Sequence, residues 1–120
     1  MHELAKLGAL GEDLALRHLK TLGFDLVERN FRSRRGEIDL IVSKNRAISF
    51  VEVKTRRGGK TGHPFEAITK TKMASIRSTA VEWLALRQVN AISVNFSAVA
   101  VSIPSRLGDA PLIEFLENIF

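Results

Sequence analysis

Residues 37–54 restrict the fold more than any other stretch of the chain. Ile38-Asp39-Leu40-Ile41-Val42 and Ile48-Ser49-Phe50-Val51-Glu52-Val53-Lys54 are dominated by β-branched and aromatic residues, and Asn45 between them suits a turn. If Asn45-Arg46 is a two-residue loop, Lys44 faces Ala47, Asp39 lands opposite Glu52, and Glu37 lands opposite Lys54. Directly opposed residues share a face, so these four charged side chains gather on one side. The other side is apolar (Ile38, Leu40, Val42, Val51, Val53), and Ile41, Ile48 and Phe50 extend the charged side with apolar residues. Strands apolar on both faces belong in the middle of a covered sheet. The charges are therefore expected at the rim of a core, partly shielded from water.

The flanking segments supply the cover. Leu4, Leu7, Leu10, Leu14, Ala15, Leu19 and Leu22 recur at helical spacing, which predicts a helix over 3–22 that stops at Gly23. Residues 24–30 suit a short strand leading into the basic turn 32–36. The Gly-rich loop 56–62 precedes a predicted helix over 65–87, with Ile68, Lys72, Ile76, Ala80, Trp83 and Leu84 along one side. An apolar strand is expected over 91–103, ended by Pro104, and a last one within Leu112 to Leu116. This order predicts an α/β domain with a central mixed β-sheet flanked by helices. With 120 residues and 45% apolar content, the expectation is one packed domain over 1–120.

Composition removes several classes of function. There is no cysteine, so disulfides and thiolate metal sites are excluded. No stretch approaches the ~20 consecutive apolar residues of a membrane span. Met1-His2-Glu3-Leu4 lacks the basic-then-apolar layout of a secretion signal, and a cytoplasmic location is expected. Eighteen Lys and Arg against 13 Asp and Glu leave a net charge of +5, which suits an anionic partner without specifying one.

The hairpin carries the chemistry. Two carboxylates directly across a strand pair repel unless something compensates. A divalent cation does so, as does a nearby lysine, and hard cations such as Mg²⁺ use one or two carboxylates together with substrate phosphates. The competing account is a solvent-facing strand end with ordinary salt bridges. Glu12 lies among Gly8, Ala15, Leu16 and Leu19, on or beside the buried stripe, and needs a partner there. It either pairs with an arginine or joins the carboxylates. Asp13 has Arg17 at the favourable four-residue spacing and suits a surface pair. Lys72, between Ile68 and Ile76, either places its amine in water at an apolar rim or faces the cluster.

Gly11-Glu12, Arg35-Gly36-Glu37-Ile38-Asp39-Leu40 and Phe50-Val51-Glu52-Val53-Lys54-Thr55-Arg56 together resemble the small bacterial nuclease-like proteins of the UPF0102 family. The resemblance extends through Gly62, Pro64 and Ala67 to the terminal Asn118-Ile119-Phe120. It implies a restriction-endonuclease-like fold, related to archaeal Holliday-junction resolvases. In that superfamily an Asp on one strand and Glu-x-Lys on the next form the site, with an acid on the first helix. Carried over, Asp39 and Glu52 would hold Mg²⁺ (or Mn²⁺), Lys54 would be the catalytic lysine, and Glu12 the helical carboxylate, a third metal ligand. The proline that often precedes the Asp in related nucleases is absent, and Asn95-Phe96-Ser97 stands where the family typically has Arg-Phe-Asp. Glu37 has two roles open to it, in the cluster or as a partner of Lys54.

The implied reaction is metal-dependent endonucleolytic hydrolysis of phosphodiesters in DNA, branched or junction DNA included. The alternative is a nucleic-acid-binding protein of the same fold with little or no catalysis. Resolvases of this fold act as dimers, which leaves a homodimer open by analogy. Basic residues flank the acidic cluster: Arg29, Arg32, Arg34 and Arg35 before the first hairpin strand, Arg56, Arg57 and Lys60 after the second. Of these, Arg32, Arg34, Arg35, Arg56, Arg57 and Lys60, together with Lys72, are the expected nucleic-acid contacts, sensitive to salt. No tyrosine and a single tryptophan argue against base reading by stacked aromatics.

Overall fold

Leucine and alanine at three- and four-residue intervals wind the first helix, α1 (His2–Thr21), and place Ala15 and Leu19 wholly out of solvent. Gly23, at φ +96°, takes the left-handed conformation that ends it. The chain then runs through β1 (Asp25–Ser33), β2 (Gly36–Lys44), β3 (Ala47–Arg57), a 3₁₀ turn (Pro64–Ala67), α2 (Lys70–Arg87), β4 (Ser93–Ile103) and β5 (Leu112–Leu116). This computed structural model describes residues 2–58, 64–91, 93–106 and 108–119, with side chains from Ala5 onward. The helix expected over 65–87 is divided. Thr69 caps α2 by accepting a hydrogen bond from the Lys72 N–H at 3.1 Å, which leaves Pro64–Ala67 as a separate turn.

The five strands lie in sequence order, β1-β2-β3-β4-β5. β3 and β4 are parallel, joined across the sheet by α2, and the other neighbours are antiparallel. This is the expected α/β architecture, a central mixed sheet with helices on both faces. On the α1 side Ala15 and Leu19 pack on Leu40, Val42, Val51, Val99 and Val101. On the α2 side Ile76, Ala80 and Trp83 pack on Phe31, Ile38, Ile41, Ile48 and Phe50. Trp83 meets Phe50 edge to face, centroids 5.6 Å apart, and gives its indole N–H to Glu28 at 2.9 Å. Among the described residues, no helix is long and apolar enough to cross a membrane.

The hairpin register matches expectation only part of the way. Lys44 faces Ala47, and the ladder runs without a slip to Leu40 opposite Val51, where it ends. Ile38, expected beside Leu40, packs instead on the α2 side while Leu40 packs on the α1 side. Alternation therefore breaks at Asp39. Next door, Asn30 in β1 adopts φ +56°, and the paired positions of the β1–β2 ladder pass over both Asn30 and Asp39. Glu37 does not face Lys54; it pairs with Arg32 of β1 at 3.3 Å.

The Asn95-Phe96-Ser97 segment of β4 has a structural occupation. Buried Ser97 accepts hydrogen bonds from the Ser49 hydroxyl at 3.0 Å and the Asn118 N–H at 3.2 Å. The Ile119 N–H donates to the Phe96 carbonyl at 2.9 Å. The segment thus anchors residues 118–119 against β4.

Candidate active site

The break in alternation turns Asp39 toward β3. Its Oδ2 accepts the Val53 backbone N–H at 2.8 Å, and its carboxyl hydrogen-bonds that of Glu52. Two carboxyls that close cannot both ionise at neutral pH. Burial, the bond to Glu52 and the Glu52 charge push the Asp39 carboxyl up to about 9, so Asp39 is the protonated partner and donor.

Glu52 is the ionised partner, on the α2 side of β3 and only 4% exposed. Burial pushes its carboxyl up, but the proton from Asp39 and the Lys72 ammonium outweigh burial and hold it below the usual carboxylate range. Lys72 Nζ lies 2.8 Å from Glu52 Oε2. The two form an ion pair, and Oε2 is a buried oxygen with no directed hydrogen bond. Lys54 completes the group. Burial and the adjacent Lys72 ammonium lower its amine below the ordinary lysine range, although Glu52 pulls the other way.

Glu12 reaches this neighbourhood through a glycine. A Cβ on Gly11 would overlap the Thr55 side chain of β3, so only glycine lets α1 lie this close to the sheet. Glu12 then stands near enough to raise the Asp39 carboxyl by its charge, the smallest of the contributions. Its direct partner is Arg29, whose Nε is 3.3 Å from Glu12 Oε1. Arg29 also bonds Asp13 at 2.6 Å and the Ala9 carbonyl at 3.2 Å. Asp13 therefore pairs with Arg29 rather than Arg17, and Arg29 serves α1 rather than an external anion.

The expected basic rim is partly committed within the fold. Arg32 holds Glu37, and Arg35 holds Glu82 at 3.2 Å and the Ser78 hydroxyl at 3.1 Å. Both remain largely exposed, at 74% and 61%. Arg56 lies beside Ser102 at 3.5 Å. Arg34 stands in the β1–β2 turn and Arg57 at the end of β3, the same end of the sheet as Asp39 and Glu52. Lys60 lies outside the described residues.

Among the described residues no three acids or histidines are grouped to hold a metal. Asp39 and Glu52 do suit a hard divalent ion that takes its remaining ligands from substrate and water: both offer oxygen, and the buried Glu52 Oε2 has a lone pair without a directed hydrogen bond. The donor set fits, with two carboxylates rather than three. Neither the Lys72–Glu52 pair nor the Arg29–Glu12 pair was assigned from sequence. Lys72 on an apolar helix stripe and Glu12 beside one were the available signals, and neither signal names a partner.

The model of the "Uncharacterised protein family UPF0102" matches residues 11–101. The chain belongs to the UPF0102 family. It is 47% identical over 119 residues to a UPF0102 protein of Rhodococcus opacus (strain B4), covering 99% of this chain and 98% of that one. It is 39% identical over 119 residues to a UPF0102 protein of Geobacter sulfurreducens, covering 99% and 91%. The UPF0102 match begins at the packing glycine, Gly11, and takes in Glu12, Asp39, Glu52, Lys54 and Lys72. β5 and the residues clasped by Ser97 lie beyond it.

Proposed function

We propose that this UPF0102 protein is a metal-dependent endonuclease that hydrolyses phosphodiester bonds in DNA, branched DNA included, using Mg²⁺ or Mn²⁺ held by Asp39 and Glu52. One observation carries the reading: a buried, hydrogen-bonded Asp39–Glu52 carboxyl pair lies beside two lysine amines at an end of the sheet where arginines gather. The resemblance to restriction-endonuclease-like enzymes adds the same acid, acid and lysine in the same chain order.

The bound ion supplies positive charge that activates a phosphate and a water. Asp39 and Glu52 would hold the ion, Asp39 as a carboxylate after releasing its proton to solvent. Lys54 sits beside Glu52 with a lowered affinity for its proton, suited to bonding a phosphate oxygen as negative charge develops there. Arg34, Arg57 and the exposed heads of Arg32 and Arg35 meet the flanking phosphates. Glu12, held by Arg29, contributes charge from α1.

A second reading, a nucleic-acid-binding protein without cleavage, draws support from the Lys72 ammonium already neutralising Glu52. Incubating linear, single-stranded, flapped and four-way DNA, and RNA, with Mg²⁺ or Mn²⁺ separates the two. Cleavage that disappears in Asp39→Asn and Glu52→Gln while binding persists supports the nuclease. Salt-sensitive binding with no metal-stimulated cleavage of any substrate supports the alternative.

A further inference from the structure

Lys72 is electrostatically out of place on its own helix. It stands in the first turn of α2, where the free N–H groups already carry partial positive charge, and that turn contains Lys70 and no acid. Its ammonium finds its counter-charge on another element: Nζ lies 2.8 Å from Oε2 of Glu52. The acid is buried and held in the sheet, whereas the Lys72 side chain is 40% exposed on a flexible four-carbon stem. The carboxylate oxygen is thus fixed, and the cation covering it is free to leave without disturbing either backbone. Oε2 makes no directed hydrogen bond, so departure breaks an ion pair alone.

We propose that Lys72 is a displaceable occupant of the cation position on Glu52. Its ammonium neutralises the buried carboxylate until a divalent ion takes Oε2, then turns to the anionic backbone that enters with the substrate. The inference rests on the metal site proposed above and adds an exchange of cations within it. Electrostatics set the direction. A dication beside Lys54 and Lys72 faces two carboxyls with two amines, and like charges at this range repel unless one withdraws. Lys72, whose half-exposed ammonium stands on the Oε2 that the ion would take, is the one that withdraws.

Two properties follow. Glu52 is charge-compensated without metal, so the site folds before loading. Metal and nucleic acid also bind cooperatively, because DNA phosphates offer the released ammonium a new partner and metal in turn releases the ammonium to DNA.

The test is Mn²⁺ binding by calorimetry and by electron paramagnetic resonance on wild type, Lys72→Met and Lys72→Arg, each without DNA and with a non-cleavable phosphorothioate duplex. Without DNA, Lys72→Met binds Mn²⁺ about tenfold more tightly, the scale of one partly solvated ion pair, while Lys72→Arg keeps the wild-type value. The duplex tightens Mn²⁺ binding in wild type and much less in Lys72→Met. If Lys72→Met does not melt cooperatively, Lys72→Gln carries the same comparison. Wild type that binds Mn²⁺ through Glu52, with the neutral variant binding no more tightly, overturns the exchange alone. No binding by either protein, or binding that survives Glu52→Gln, overturns the metal site and the exchange with it.

Discussion

Asp39 is fastened to β3 by its own side chain: Oδ2 accepts the Val53 N–H at 2.8 Å, just beyond the last ladder pair, Leu40 with Val51. The carboxyl stands in for the backbone carbonyl that a continued ladder would have supplied. Asp39→Ala leaves that N–H without a partner at a part-buried position and costs about 1–3 kcal/mol of stability. Asp39→Asn keeps an acceptor for Val53 and a donor for Glu52, and stays within about 1 kcal/mol of wild type. Urea unfolding at pH 7 measures both.

The same pair sets a pH dependence. Asp39 ordinarily titrates near 3.8 and is pushed up to about 9 in the fold. A group raised in this way contributes its full stability below 3.8, and that contribution shrinks as pH rises, because the unfolded chain releases a proton that the folded one retains. The decline ends near pH 9. Asp39→Asn has no proton to lose, so its melting temperature falls less between pH 5 and 9 than that of wild type. Equal slopes for the two proteins would refute the shared proton.

Gly11 governs how closely α1 approaches the sheet. Gly11→Ala gains up to ~1 kcal/mol of helix propensity, but overlap with Thr55 costs about 1–3 kcal/mol, so the net change is destabilising. Pairing Gly11→Ala with Thr55→Ala recovers part of the loss by removing Oγ1 and Cγ2 from the overlap. Thermal melts of the two single variants and the double variant give the coupling directly.

Glu28 ties β1 to α2. It accepts the Trp83 indole N–H at 2.9 Å and both Nε and Nη2 of Arg87, at 3.0 and 2.9 Å. The bonds from Arg87 and Trp83 hold its carboxyl below the ordinary range. Glu28→Leu strands a buried indole N–H and costs about 1–3 kcal/mol, whereas Glu28→Gln retains an acceptor and loses less. Trp83 is the chain's single tryptophan, so its fluorescence reports the change without a label.

Periodicity carried most of the architecture. Two strands apolar on both faces require cover on both sides, and leucine spacing on one flank with the Ile68–Ile76–Trp83 row on the other identifies the helices that provide it. The turn at Asn45-Arg46, both at positive φ, sets the register from Lys44 opposite Ala47 up to Leu40. The acid, acid and lysine of the candidate site lie on that hairpin and were legible as residue types at a spacing.

The partners were not legible. Glu12 with Arg29, Glu37 with Arg32 and Lys72 with Glu52 join elements far apart in sequence or swap one neighbouring strand for another. Nothing in a local pattern selects among several cations of equal charge.

What the sequence determined by itself is therefore the order of the main elements, the need for cover on both faces of the hairpin, and the end of the hairpin where charge collects, because these follow from short-range geometry and water's exclusion of apolar groups. What only the tertiary structure decided is the aim of the charged side chains. The irregular backbone at Asn30 and Asp39 turns one carboxyl toward the next strand, and the close approach allowed by Gly11 brings Glu12 into range. α2 sets Lys72 over Glu52. Electrostatic energy depends on distance and burial, and both are set only once the elements have packed.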